Sequence, residues 1–168
     1  MKSRVLFVVL LAIAVMMPAS AAFAAPAAPV ATPFKGSWDS QEWPTFLPPP
    51  PAVPDTMLVH LEGWGNATHL GNYTVEFEAT VDVAGCGCSV NDQTTFVAAN
   101  GDELYASGHA QGELVPGQPD DRYVTHYSTI TGGTGRFAGA TGSFVVKRLA
   151  NLPTGMSTGT FEGTITLR

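Results

Sequence analysis

Charge is scarce in this chain. Only 13% of its 168 residues are Asp, Glu, Lys or Arg, about half the usual share. Eight Lys and Arg stand against 14 Asp and Glu, a formal charge of −6. That balance excludes nucleic acid as a partner, because phosphates call for clustered basic side chains. Helical periodicity is missing beyond the first two dozen residues. Long apolar runs are missing too. Val5 to Met17 spans 13 residues, short of the ~20 that cross a bilayer. Cysteine is nearly absent, with only Cys86 and Cys88. No Cys precedes them, which excludes a lipoprotein anchor at the N-terminus. No four-ligand zinc spacing exists either, so neither a metal nor a cofactor is expected.

The residues that are present describe an exported β-protein. Lys2 and Arg4 precede the apolar run, and Ala22-Phe23-Ala24 is an A-x-A cleavage site. Residues 1–24 therefore read as a secretory signal peptide, and the protein as secreted or periplasmic. Cleavage removes Lys2 and Arg4 and leaves six basic and 14 acidic side chains, a formal −8. Residues 25–33 are an Ala/Pro-rich linker. Residues 34–168 form one domain, since the length suits a single core. Pro48 to Pro51 reads as a rigid polyproline connection between strands, or else as a docking motif. Cys86-Gly87-Cys88 admits three readings in an oxidising compartment: a local disulfide with Gly87 supplying the turn, free or intermolecular thiols, or a redox or metal site.

Strand patterns fill the rest. Tyr73, Val75, Phe77, Ala79, Val81 and Val83 share one face, and Thr74, Glu76, Glu78, Thr80 and Asp82 the other. Such strict alternation makes a half-buried strand. Seven more candidates are Phe34–Ser40, Met57–Gly63, Gln93–Ala99, Glu103–Glu113, Arg122–Thr131, Thr141–Leu149 and Thr158–Leu167. Asn100-Gly101-Asp102 is a hairpin turn. Gly108, Gly112, Gly142, Gly159 and Gly163 fall inside strands, where glycine marks bulges or sharp bends. Repeated bends favour a closed barrel over a sandwich. The expected class is all-β, a single eight-stranded antiparallel barrel.

Three stretches carry a family resemblance: Gly65-Asn66-Ala67-Thr68-His69-Leu70-Gly71, Ala99-Asn100-Gly101-Asp102-Glu103-Leu104-Tyr105, and Ile130-Thr131-Gly132-Gly133-Thr134-Gly135-Arg136-Phe137-Ala138-Gly139-Ala140-Thr141-Gly142. They resemble exported bacterial proteins of the allene oxide cyclase barrel-like group. That barrel is similar to plant dirigent proteins, which carry a like G-G-T-G-x-F segment. The resemblance spans Phe34 to Arg168 and implies an eight-stranded antiparallel barrel, with an interior cavity in the plant relatives. It carries no catalytic set. Physically, a helical turn at Gly135–Ala138 would let Phe137 plug one barrel end and leave Arg136 to reach a carbonyl or carboxylate.

Chemistry-bearing residues are few. His126 shares a strand face with Val124 and Ile130, and with Glu62 forms the candidate acid–base pair. A structural role for each is the alternative. His109 is expected at the surface, and His69 is expected to hold its loop by bonding to backbone. His60 lies on a strand of ambiguous orientation. Trp38, Trp43 and Trp64 seal the barrel or stack on a ligand. Tyr73, Val75, Phe77, His126 and Phe137 are the candidate ligand-binding residues. The leading functional expectation is a binding module for a small apolar molecule. A filled interaction barrel and a cyclase- or dirigent-type enzyme that steers an intermediate by cavity shape are the alternatives. A homo-oligomer is a further possibility, and no membrane anchor is expected.

Overall fold

The computed structural model describes residues 28–49 and 52–168. The expected signal sequence, residues 25–27 of the linker, and Pro50 and Pro51 of the proline run lie outside the described residues. The strands are β1 (Ala31–Leu47), β2 (Thr56–Ala67), β3 (Gly71–Asp82), β4 (Cys88–Val97), β5 (Glu103–Val115), β6 (Gln118–Gly133), β7 (Thr141–Asn151) and β8 (Met156–Thr166). They run in sequence order around a closed antiparallel barrel, with β1 pairing β8 across the seam. All eight expected strands are present, and most are longer than expected. β1 begins at Ala31, so Ala31, Thr32 and Pro33 belong to the barrel and not to a linker.

Proline conceals the limits of β1 in the sequence. Pro33 and Pro44 both lie inside it. Proline donates no ladder hydrogen bond and belongs where a strand is unpaired on one side. Pro33 pairs Thr164 of β8, before the β2 ladder begins at Gly36; Pro44 pairs Val59 of β2, after the β8 ladder has ended at Gln41.

The interior divides lengthwise. One half is packed solid by Phe34, Phe96, Phe144 and Phe161, with Phe34–Phe161 ring centroids 4.9 Å apart and Phe34–Phe144 5.3 Å apart. The Gly-rich link after β6 closes this end. Gly135–Phe137 forms the expected helical turn, and Phe137 is fully buried. Arg136 reaches a carboxylate through its backbone and not its side chain: its N–H donates to Asp102 Oδ2 at 3.1 Å, while the guanidinium lies over the Phe137 ring at 4.9 Å. Asn100 Nδ2 donates to the same Asp102 oxygen at 2.7 Å.

The other half is open. The inward face of β3 shows the change, with Tyr73, Val75 and Phe77 buried and Ala79 and Val81 only half-buried. Gly108, Gly142, Gly159 and Gly163 prove to be sites of close backbone approach, whereas Gly112 has no such neighbour. A Cβ on Gly163 would stand 2.1 Å from the Ser143 carbonyl oxygen. The register shifts fall elsewhere, at Glu78/Thr80, Cys88/Asp92, Tyr105/Ala106 and Leu114/Val115.

Candidate functional site

Charged side chains form the floor of the open half. Each occupies an inward position on its strand. Arg148 follows Phe144 and Val146 on the buried face of β7. Glu42 follows Trp38 and Ser40 on β1. His126 is buried on β6, and Asp92 shares its face of β4 with Thr94 and Phe96. The β4 bulge between Cys88 and Asp92 turns Ser89 inward as well.

These groups form two hydrogen-bonded clusters that meet at the His126 ring. Arg148 Nε donates to His126 Nε2 at 3.0 Å, and Nη1 donates to Ser157 Oγ at 2.9 Å. Nη1 also pairs with Glu42 Oε1. His126 Nδ1 stands 3.7 Å from Asp92 Oδ2, which accepts from Ser89 Oγ at 2.7 Å. Ser89 Oγ in turn accepts from the Ala110 N–H at 2.9 Å. On the other side, the Ser157 and Ser40 hydroxyls meet at 2.6 Å, and Trp38 Nε1 donates to Ser40 at 3.1 Å. Asp92 Oδ1 is sealed and has no partner among the described residues.

The electrostatics follow from burial. Loss of water pushes the Arg148 guanidinium down to about 9, still above neutrality, so it remains a cation. A buried cation demands a counter-charge, and Glu42 supplies it. Because Nε2 of His126 accepts from Arg148, the network assigns the imidazole proton to Nδ1, facing Asp92. The ring is neutral and its basic nitrogen is occupied. Phe77 meets it edge-on at 5.0 Å and Trp38 lies nearly parallel at 6.5 Å.

Above this floor lies a cavity of about 320 Å³. Its walls include Met57, Val59, Phe77, Val81, Val124 and Ala150. Small-molecule sites combine such apolar walls with a few fixed polar groups. At the mouth, Cys86 and Cys88 are joined as a disulfide, and Gly87 between them takes a φ of +61°. The Gly87 carbonyl accepts from the Gly112 N–H at 3.3 Å. Arg122 also lines the cavity, with its Nη1 donating to the carbonyls of Pro119 and Asp121 at 2.8 and 2.9 Å.

Only part of the expected site assembles. Phe77 and His126 line the cavity. Tyr73, Val75 and Phe137 are buried in the closed half and do not line it. Tyr73 spends its hydroxyl on the Ser37 carbonyl at 2.5 Å, and burial, with Asp39 second, pushes its pKa upward. The expected pairing of His126 with Glu62 is incorrect. Glu62 alternates with buried Leu61 and Gly63, so it points outward, where its carboxylate lies 3.6 Å from His60. His109 is exposed, as expected, and stacks on Tyr127 at 5.2 Å. His69 bonds the Pro33 carbonyl at 3.2 Å, as its loop role requires. Trp38 is core, whereas Trp43 and Trp64 are exposed. Arg148, Glu42, Asp92 and Ser89 were missed from sequence. For the first three the signal was a polar residue at the inward parity of an alternating strand; Ser89 has the opposite parity and is turned inward only by the β4 bulge.

No protein-family model matches the chain, and no curated protein sequence matches it. Solved structures do resemble it. One pterocarpan synthase dirigent protein superposes with a TM-score of 0.58 at 13% identity, over 86% of this chain and 89% of its own. A second superposes with a TM-score of 0.56 at 14% identity, over 82% and 96%. What these molecules share with this chain is the closed eight-stranded barrel of the dirigent proteins.

Proposed function

We propose that this protein binds a small, largely apolar molecule in the open half of its barrel. The carrying observation is the division of the interior. The aromatic half is filled, while the other half keeps a cavity of about 320 Å³ with apolar walls and a fixed polar floor. A barrel filled for interaction alone would be closed at both ends. A second reading is a dirigent-type enzyme that holds an intermediate in one conformation by cavity shape. The names of the two structural relatives, pterocarpan synthases, favour it. We further propose that the protein is exported, on its Lys2-to-Ala24 segment, and that its kin include the bacterial allene oxide cyclase barrel-like proteins, on the Gly132–Gly142 run.

The test is native mass spectrometry of protein purified through its own export route, with organic extraction of bound material. The expected result is a stoichiometric apolar passenger that, returned at about a hundred times its Kd, stabilises the fold by about 2.7 kcal/mol. Ala79 lines the cavity and is half-buried, so Ala79→Phe should expel the passenger and leave the protein folded. A clean apo mass and an extract that leaves Tm unmoved would remove the binding role.

A further inference from the structure

Resting on the cavity reading above, we infer that the floor selects for charge: the site takes a neutral molecule whose polar end is a hydrogen-bond acceptor such as a ketone or ester, and rejects carboxylates. Arg148 is the donor. Its Nε is spent on His126, and its Nη1 on Glu42 and Ser157. Nη2 has no hydrogen-bond partner among the described residues. Arg148 lines the cavity. One face of the guanidinium therefore offers unspent N–H donors into apolar space, where an unmet donor is costly and an acceptor oxygen relieves it.

An isolated buried arginine would favour an anion. This one is not isolated. Glu42 already answers its charge, His126 is neutral by its acceptance from Nε, and Asp92 adds a second carboxylate behind the imidazole. One cation thus faces two carboxylates. A ligand carboxylate entering the floor would lose its water and find no net positive charge. The other cation lining the cavity is Arg122, whose Nη1 donates to two neutral backbone carbonyls and so keeps its charge; set with Arg148 against Glu42 and Asp92, it brings the groups around the site only to balance.

Three naphthalenes of nearly equal shape separate the possibilities: the acetyl, carboxylate and ethyl derivatives substituted at the same ring position. Binding is read at neutral pH by calorimetry. The ketone should bind at least tenfold more tightly than either the carboxylate or the hydrocarbon. Glu42→Gln keeps the shape and deletes the counter-charge, so it should shift the carboxylate-to-ketone affinity ratio at least tenfold toward the carboxylate. Equal binding of all three by the unaltered protein would overturn charge selection and leave the cavity reading standing. So would carboxylate binding that Arg122→Gln abolishes and Glu42→Gln does not change. If none of the three binds, the cavity reading and this inference both fail.

Discussion

Arg148 sits where strand parity asks for an apolar side chain, and its neighbours show how such a residue is tolerated. Glu42 balances its charge, His126 and Ser157 satisfy two nitrogens, and the residue lines the cavity. Asp102 plays the opposite part at the closed end, where one carboxylate ties two turns together. The Arg136 N–H, then the Asn100 side chain, hold its carboxyl below the ordinary value of 3.8. A carboxyl depressed by folding stabilises the fold fully above its unfolded value, and the stability disappears as pH falls through the folded value. Thermal stability should therefore drop on acidification below 3.8, and Asp102→Asn should flatten that limb. An acid limb identical in the variant would show that Asp102 is not its source.

Strands were the readable elements. Alternation in Tyr73–Val83 located β3, and the Asn100-Gly101 turn located the β4–β5 hairpin. Strand ends were less legible, because Pro33 and Pro44 look like breakers until the one-sided pairing of β1 is known. The polar floor was not legible as a site. Arg148, Glu42, Asp92 and His126 come from four different strands, and only barrel closure brings them together. Strand parity could say that each faces inward, but not what it faces. Glycines inside strands are expected at bulges or sharp bends, and at four of the five the structure shows a neighbouring strand too close for a Cβ. On that account Gly163→Ala should lose about 1–3 kcal/mol, since the added methyl would meet the Ser143 carbonyl oxygen at 2.1 Å. Urea unfolding measures it, and an unchanged midpoint would mean that β7 and β8 are not so tightly apposed.

Across the whole molecule, stability and recognition occupy different halves. Phe96 is fully buried and touches the rings of Tyr73, Phe144 and Phe161 at 5.3–5.9 Å. Phe96→Ala should cost about 3–5 kcal/mol. Phe46 lines the open cavity and is 42% exposed, so Phe46→Ala should cost under about 0.5 kcal/mol while weakening ligand binding. Denaturation and calorimetry on the same pair of variants read both effects. Equal destabilisation by the two would mean that the halves share one core.

The seam between β1 and β8 also decides when the barrel can form. Ala31 pairs Thr166 and Gln41 pairs Met156, so the first strand waits for the last. A growing chain that still lacks β8 carries raw edges on both β1 and β7, and unpaired edges invite pairing with other chains. Closure joins the most distant parts of the sequence, and such high contact order slows folding toward milliseconds or seconds. Until β8 has joined β1, this chain is a sticky open sheet, and its most vulnerable moment is the interval before that seam closes.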